Sequence, residues 1–300
     1  MRSVAVIAHT GKSLGGGLPD LRRALDRRGV VNPLWCEVSK SKNAPAKVRR
    51  ALKHGADLVF VWGGDGMVQR CVDVLAGSKA ALAIVPAGTA NLLASNLGIP
   101  RNLEAAVEIG LNGSHRKLDL GRMHGERFAV MAGAGFDARV VRDADGEMKR
   151  ALGRMAYVWA ASRNLRGAPF HAQIKVDGTE WYRGEASCVL LGNVGHVFGG
   201  ITAFDHAQPD DGLLDVGVAS AHGLLQWGRT IVRSTVSDAI KSPFVHLTQA
   251  RSIEVELDRR VLYELDGDAR KRTKAFRVEV EPGAVSVCVP EGPESARQVA

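Results

Sequence analysis

The first 110 residues alternate short apolar runs with segments whose apolar residues recur at helical spacing. A short apolar run has the length of a buried strand, and a helical segment between two such runs supplies the crossover that parallel strands require. The alternation therefore predicts an α/β domain, a parallel sheet with helices on both faces. The predicted strands are Val4–Ala8, Leu34–Val38, Asp57–Trp62 and Leu82–Val85, and the predicted helices lie near Leu18–Leu25, Ala44–Lys53, Val68–Leu75, Ala90–Leu97 and Leu103–Ile109.

After about residue 115 the pattern changes to short β-like segments, among them Arg127–Ala132, Ser252–Leu257 and Val261–Leu265. Two helical patterns, near Arg150–Leu165 and Leu224–Arg233, interrupt these segments. The spacing predicts a β-sandwich or barrel with helical insertions, so the chain divides into two domains within residues 110–130. A cleft between two such domains is the default place for a ligand.

The composition is that of an ordinary globular chain. Of the 300 residues 45% are hydrophobic and 24% are charged, which excludes disorder and fibrous structures. No apolar run approaches the roughly 18 residues of a membrane-spanning helix, and the first residues lack a signal-peptide pattern. The four cysteines form no CxxC pair, which favours a reduced cytoplasmic protein over a disulfide or zinc framework.

The chain is basic, with 40 lysines and arginines against 32 acidic residues and a net charge of +8. An excess of this size suggests an anionic partner: nucleic acid, a membrane surface or phosphate groups. The simpler alternative is that the basic pairs, which are spread along the chain, lie on solvated faces. Aromatic residues make up only 5% of the chain and offer little surface for base stacking, which counts against nucleic acid.

A glycine loop, Gly63-Gly64-Asp65-Gly66, directly follows the buried strand Asp57–Trp62 and opens a helix. The carboxyl ends of parallel strands are where ligands bind, and glycines let several backbone N–H groups approach a phosphate at a helix N-terminus. Asp65 would repel that phosphate unless a Mg²⁺ ion lay between them. The alternative is a tight turn in which the aspartate caps the helix.

A second loop, Pro86-Ala87-Gly88-Thr89-Ala90-Asn91, occupies the equivalent place after the next strand. Thr89 offers a hydroxyl and a backbone N–H near a helix start. Alone, this loop is equally well explained as a turn with an N-cap. Two glycine loops at adjacent strand ends reinforce each other, and together they predict a phosphate cradle.

Two further glycine motifs carry less information. His9-Thr10-Gly11-Lys12-Ser13 contains Gly-Lys-Ser but fails the Walker A spacing, because Val6 stands where the first glycine belongs. Lys12 either reaches phosphate or is solvated. Gly133-Ala134-Gly135-Phe136-Asp137-Ala138 fits GxGxxA, but it lies in the β-rich half without a βαβ unit, so we do not expect dinucleotide binding there.

The two glycine loops, with Leu97-Gly98-Ile99-Pro100 after them, resemble the catalytic domain of the bacterial diacylglycerol kinases, a lipid kinase family related to sphingosine kinases and NAD kinases. The resemblance continues through Leu118–Gly121, Ala134–Ala138 and Pro209–Val216 to Asp266-Gly267-Asp268, and so covers nearly the whole chain in order. It implies a nucleotide-binding, NAD-kinase-like domain over residues 1–120 and a lipid-binding β-sandwich over 121–289, followed by a tail, 290–300, that returns to the first domain. ATP and lipid would meet between the two domains.

The same resemblance assigns roles to residues. Asp268 falls where these kinases place the carboxylate that takes the proton of the acceptor hydroxyl, a role that suits phosphoryl transfer. Asp65 is the second catalytic candidate. From the residues alone, Asp266-Gly267 is simply a hairpin turn before Asp268. The nucleotide-binding positions would be Thr10, Gly11, Lys12, Ser39, Gly63, Gly64, Asp65, Gly66, Met67, Gly88 and Thr89.

A Mg²⁺ site is also implied, built from the carboxylate of Asp211 and the backbone carbonyls of Gln208 and Leu213. Without the family, Asp210-Asp211-Gly212 is better read as a β-turn.

Three positions depart from the family pattern. In the family, the loop after the first strand usually reads Asn-Pro, where this chain has His9-Thr10. Met67 stands where a threonine is usual, which removes a hydroxyl from the phosphate site. Asp268 replaces a glutamate and is shorter by one C–C bond of roughly 1.5 Å, a misplacement that can cost about a hundredfold in rate.

The expected function is therefore ATP- and Mg²⁺-dependent phosphorylation of a lipid hydroxyl, with diacylglycerol as the acceptor. The alternatives are a kinase for a sphingoid base, another lipid alcohol or NAD, and a non-catalytic nucleotide- or lipid-binding homologue. We expect a cytoplasmic protein, peripheral on the inner face of the membrane, with Lys149–Arg154 and Arg270–Lys274 as candidate contacts to anionic lipid. No nucleic acid is expected, and a homodimer is compatible with the sequence but not predicted by it.

Overall fold

The computed structural model describes residues 3–135, 169–197, 201–205, 207–220 and 245–291. The chain forms two compact units. The first contains residues up to Leu120 together with the chain from Pro282 onward, and the second contains Gly121–Glu281. The predicted helices near Arg150–Leu165 and Leu224–Arg233 lie outside the described residues, as does the basic segment Lys149–Arg154.

The first unit is built on a parallel sheet. Its strands are β1 (Val4–His9), β2 (Leu34–Val38), β3 (Leu58–Gly63) and β4 (Ala81–Pro86), in the order β2-β1-β3-β4. Every residue of β3 and β4 is buried, as central strands covered on both faces require. The last part of a long strand, β16 (Asp268–Val289), joins the other edge of β4 in parallel, with Ser286 opposite Ala81 and Val287 opposite Leu82.

Five helices accompany these strands in the described part of the first unit: α1 (Leu18–Arg27), α2 (Ala44–Lys53), α3 (Asp65–Leu75), α4 (Leu92–Asn96) and α5 (Leu103–Asn112). A single 3₁₀ turn, Ser41–Asn43, leads into α2. Helix α3 begins three residues before its predicted start, because Gly64 is extended and Asp65 already takes helical conformation. Helix α4 begins at Leu92 rather than Ala90, because Asn91 has a left-handed backbone with φ of 50°.

The second unit is antiparallel. Its strands are the end of β5 (Ser114–Met123), β6 (Glu126–Phe128), β7 (Met131–Ala134), β8 (Phe170–Val176), β9 (Thr179–Ala186), β10 (Cys188–Gly192), β11 (His196–Val197), β12 (Ile201–Thr202), β13 (Leu214–Ala219), β14 (Val245–Ala250), β15 (Ser252–Leu265) and most of β16. The main order is β14-β13-β10-β7-β15-β16, with β8 and β9 added beside β15. Alternate residues such as Ile253, Val255 and Leu257 point into one apolar core.

Two predicted segments differ from the structure for identifiable reasons. Arg127–Ala132 is not one strand but two, because the chain breaks at Ala129 and Val130, whose N–H groups bind the carboxylate of Asp266. Ser252–Leu257 and Val261–Leu265 are parts of one strand, β15, whose pairing with β16 shifts register between Glu256 and Val261. In the sequence this irregularity interrupts the alternation of apolar residues, so the pattern predicts two strands.

Within the described residues no helix is both long and apolar enough to span a bilayer. All four cysteines are free and buried.

Candidate functional site

The two glycine loops lie side by side at the carboxyl edge of the parallel sheet. Strands β3 and β4 end together, with Gly63 paired to Pro86, and the loops that follow are packed backbone against backbone. A Cβ atom on Gly88 would lie 2.4 Å from the Cα of Gly64, a distance that no side chain tolerates. Glycine is therefore required at position 88 by the close approach of the two loops.

Asp65 ties the first loop to the second. Its Oδ2 accepts the backbone N–H of Asn91 at 2.9 Å, and its Oδ1 accepts that of Leu92. Burial raises the pKa of Asp65, although these N–H groups, at the start of α4, stabilise its charged form. Because the carboxylate faces the start of α4, the repulsion expected between Asp65 and phosphate is reduced, and its contacts favour a positioning role.

Asn91, to which the sequence pattern assigns no role, fixes the second glycine loop. Its Oδ1 accepts the N–H of Gly88 at 2.8 Å, and its Nδ2 donates to the carbonyl of Gly88 at 2.9 Å. Asparagine tolerates the left-handed conformation and bonds its own loop, so its place directly before a helix was the available signal.

The loops leave backbone donors unused. The N–H groups of Gly64, Gly66, Thr89 and Ala90 have no hydrogen-bond acceptor among the residues that the structure describes. Gly66 lies in the first turn of α3, where the helix dipole adds positive potential. Thr89 is exposed and its hydroxyl is likewise unengaged within the described residues. Free N–H groups on facing loops form a site for an anionic oxygen cluster.

Met67 and Ser39 flank this cradle differently. Met67 is 1% exposed, and a Cβ on Gly63 would lie 2.8 Å from its Sδ, so its side chain packs inward over Gly63. Its N–H is already bonded to the carbonyl of Gly64 at 2.9 Å. Ser39 directly follows β2 at the same edge of the sheet, with its side chain exposed.

The loop after β1, His9–Ser13, is held by hydrogen bonds of its own. The Thr10 N–H donates to Val38 at 2.9 Å, and the Gly11 N–H donates to Nδ1 of His9 at 3.1 Å. The buried indole of Trp62 donates to the carbonyl of Lys12 at 3.1 Å, which secures the loop to the end of β3. The exposed ammonium of Lys12 is therefore what this loop offers a ligand.

In the second unit, Asp266 and Gly267 form the two-residue turn between β15 and β16, with φ of 47° and 82°. Both values are positive, as in the type I′ hairpin that the residues predict. Asp266 is 5% exposed and accepts the N–H groups of Ala129, Val130 and Met131 at 2.8–2.9 Å. The turn that presents Asp268 is thus anchored by a buried carboxylate.

Asp268 itself is partly exposed, with 38% of its side chain accessible. Nη1 of Arg270 lies 3.7 Å from its Oδ2 and donates to its backbone carbonyl at 3.1 Å. The Arg270 side chain is 14% exposed, and its Nη2 donates to Oε2 of Glu126 at 2.9 Å. Glu126 could not be identified from the sequence, because nothing in the local pattern links residues 126 and 270.

The Pro209-Asp210-Asp211-Gly212 segment is a turn, with φ of 78° at Gly212. Oδ1 of Asp211 accepts the N–H of Leu213 at 2.9 Å. Among the described residues no three His, Cys, Asp or Glu side chains cluster as metal ligands. A set made of one carboxylate and two carbonyls is all oxygen, which suits Mg²⁺.

The predicted site residues thus fall into two groups. Thr10, Gly11, Lys12, Ser39, Gly63–Met67, Gly88 and Thr89 belong to the loops at one edge of the first unit's sheet. Gln208, Asp211, Leu213 and Asp268 belong to the second unit.

Two known domain families match successive parts of this chain. The family model of the diacylglycerol kinase catalytic domain matches residues 8–123, and that of the YegS C-terminal NAD kinase beta sandwich-like domain matches residues 130–289. A diacylglycerol kinase of Mycobacterium tuberculosis is 32% identical over 249 residues, which cover 80% of this chain and 79% of that protein. A Pseudomonas aeruginosa protein named "Probable lipid kinase YegS-like" is 32% identical over 289 residues, covering 92% and 90%.

Solved structures share the fold. A diacylglycerol kinase from Bacillus anthracis superposes with a TM-score of 0.76 at 22% identity, covering 98% of both chains. An NAD kinase from Archaeoglobus fulgidus in complex with ATP gives a TM-score of 0.54 at 12% identity, covering 100% of this chain and 97% of that one. The predicted architecture, an NAD-kinase-like α/β domain with a β-sandwich domain, is confirmed.

Proposed function

Because this chain belongs to the diacylglycerol kinase and YegS-like family of lipid kinases, we propose that it transfers the γ-phosphate of ATP to the hydroxyl of diacylglycerol, giving phosphatidic acid. The observation that supports nucleotide binding best is the set of unused N–H donors on the two facing glycine loops. Phosphoryl transfer depends mainly on positioning and charge stabilisation, which such a cradle supplies.

In this proposal the residues of the loops have different roles. The N–H groups of Gly64, Gly66 and Thr89 bind phosphate oxygens, and the ammonium of Lys12 adds a mobile positive charge. Asp65 holds the second loop against the first through its bonds to Asn91 and Leu92. Met67 contributes packing at Gly63 rather than a hydroxyl.

Asp268 is the proposed general base, which accepts the proton of the acceptor hydroxyl. Its partial exposure leaves it accessible to a substrate, and Arg270 fixes its orientation. Mg²⁺ would be held in the second unit by the Asp211 carboxylate with the carbonyls of Gln208 and Leu213. The ion would supply positive charge that stabilises this turn.

Replacing Asp268 tests the assignment. We expect Asp268→Asn to lower kcat by about a hundredfold or more, because the base is lost, while the Kd for ATP stays within about twofold. Asp268→Glu should retain activity, since it keeps a carboxylate and introduces the residue that is usual at this position in the family. Asp258→Asn, at an exposed aspartate of β15, is the matched control and should behave as wild type.

An Asp268→Asn variant with wild-type turnover would contradict the role of the base. A wild-type protein that binds ATP but phosphorylates no acceptor would favour a non-catalytic homologue. A panel of diacylglycerol, a sphingoid base, another lipid alcohol and NAD, each with labelled ATP, separates the remaining acceptors, and preferential labelling of any acceptor other than diacylglycerol would overturn that part of the proposal.

A further inference from the structure

Helix α2 and the turn before it carry a concentration of positive charge that the proposed reaction does not use. Between Glu37 and Asp57 there is no acidic residue, and the segment contains six cations: Lys40, Lys42, Lys47, Arg49, Arg50 and Lys53. Without them the chain would have 34 basic and 32 acidic side chains, a net charge of +2 instead of +8. Most of the excess charge of the protein therefore lies in this one segment.

We name these six cations, in the turn and in the helix, the α2 basic face. Helix α2 buries Ala44, Val48 and Ala51 against the first unit. Lys40, Lys42, Arg49, Arg50 and Lys53 are exposed and Lys47 is half-buried, so the helix turns its charge outward.

The α2 basic face is not neutralised from within the described part of the chain. None of its six cations forms an ion pair there. The arginines of α1 and its C-cap behave differently: Arg22 pairs with Glu37, Arg23 with Asp20, and Arg27 and Arg28 with Glu104. Within α2, Arg49 and Lys53 stand four residues apart, a like-charge spacing that destabilises a helix. An external anion would offset that cost.

We propose that the α2 basic face docks the protein on an anionic lipid bilayer. This inference rests on the proposed function, because a lipid acceptor is delivered in a bilayer. The face begins immediately after Ser39, at the edge of the sheet that carries the glycine loops. It presents lysine and arginine without an aromatic side chain, which suits a layer of phosphate headgroups better than the stacked bases of a nucleic acid.

The sequence suggests two other basic segments as contacts to anionic lipid. Lys149–Arg154 lies outside the described residues. In Arg270–Lys274, Arg270 is 14% exposed and bound to Glu126, which leaves three exposed cations, Lys271, Arg272 and Lys274, against five in the α2 basic face.

Vesicle sedimentation without ATP or acceptor tests the docking surface separately from catalysis. The probe is vesicles of phosphatidylcholine with phosphatidylglycerol, against phosphatidylcholine alone, at low and high salt. Each charge near an anionic surface contributes about a fivefold change in binding, so the triple variant Arg49→Gln, Arg50→Gln, Lys53→Gln should bind about a hundredfold more weakly. Glutamine preserves helix propensity, and circular dichroism checks that the variant is folded.

The matched control removes the same charge from α1: Arg22→Gln, Arg23→Gln, Arg27→Gln. We expect it to retain binding within about threefold, because these arginines are already paired. Undiminished binding of the α2 variant would overturn the proposal, as would an equal loss in the control, which would indicate a response to net charge alone. Tighter binding to an RNA or DNA duplex than to anionic vesicles, abolished by the α2 changes, would also overturn it. Loss of vesicle binding in the α2 variant supports docking whether or not the protein proves to be a kinase.

Discussion

Arg270 connects the proposed base to the rest of the second unit. It lies between Glu126, which grips its guanidinium, and Asp268, whose backbone carbonyl accepts its Nη1–H at 3.1 Å. Because the guanidinium is only 14% exposed, its position is set by packing as well as by charge. We regard Arg270 as a positioning residue.

Arg270→Gln should therefore lower kcat by about tenfold while leaving the Kd for ATP unchanged, because Asp268 loses its orientation but remains present. Arg270→Lys should recover part of the loss, since it keeps the charge without the two-pronged contact to Glu126. Arg277→Gln, at an exposed arginine of the same strand, is the control. Lower thermal stability with unchanged kcat would show that Arg270 is only structural.

At the scale of single residues, the sequence indicates candidate site positions, but it does not indicate which residues they contact. Gly63, Gly64 and Gly88 were identified because two glycine loops at strand ends form a recognisable pattern. The bonds from Asp65 to Asn91 and Leu92 join residues 26 and 27 positions apart. The grip of Glu126 on Arg270 spans 144 positions. Contacts of that kind depend on tertiary packing, which no local spacing encodes.

At the scale of elements, the site depends on how closely two loops approach. Gly88→Ala would place a Cβ 2.4 Å from the Cα of Gly64 and 2.6 Å from Oδ1 of Asn91. We expect the free energy of unfolding to fall by about 1–3 kcal/mol and ATP affinity to fall with it, because the loops must separate. Urea denaturation and ATP titration measure both. Thr89→Ala, at the exposed neighbour, should leave stability within about 0.5 kcal/mol of wild type. Unchanged stability in Gly88→Ala would contradict the close approach.

Arg28, at the end of α1, clamps that helix to α5. Its Nη1 donates to Glu104 at 2.7 Å and its Nε donates to Glu108 at 2.9 Å. The hydrogen bonds from Arg28 hold the pKa of both carboxyls below their ordinary value of 4.5. A carboxyl whose pKa is lowered in the folded protein stabilises the fold at pH values above its ordinary pKa. That contribution is lost as the pH falls through the lowered pKa.

Arg28→Gln should therefore reduce stability at neutral pH and reduce it less at an acidic pH below the lowered pKa of the two carboxyls, where they are protonated in both proteins. Urea unfolding of the variant and wild type at the two pH values measures the difference. Arg49→Gln, at an arginine without an acidic partner in the described residues, should show no such pH dependence. An equal loss for Arg28→Gln at both values would contradict the role of the ion pairs.

Periodicity predicted the elements of the first unit well, since strands buried on both faces are apolar throughout and α2 has the predicted bounds. It failed where one residue changes the backbone locally. The left-handed Asn91 shortened α4, and the contacts of Asp266 divided β6 from β7. Strand β9 was missed because its outward residues are polar and only Ala186 is fully buried.

At the scale of the whole molecule, the chain returns to the first unit through the end of β16. Val287 is fully buried opposite Leu82 of β4, although the two residues are 205 positions apart in the sequence. Val287→Asp would bury a charge without a partner, so we expect stability to fall by about 3 kcal/mol or more and ATP binding to be lost. Val31→Asp, at a residue 73% exposed, should be tolerated. Equal stability of the two variants would contradict the pairing of β16 with β4.

We propose that this member of the lipid kinase family transfers phosphate from ATP to a lipid hydroxyl. The most direct test mixes the protein with γ-labelled ATP, Mg²⁺ and a cellular lipid extract and separates the lipids by chromatography. We predict that label appears in a lipid that migrates with phosphatidic acid, and that Asp268→Asn abolishes it. The absence of label from every lipid, with a protein that binds ATP, would contradict the account.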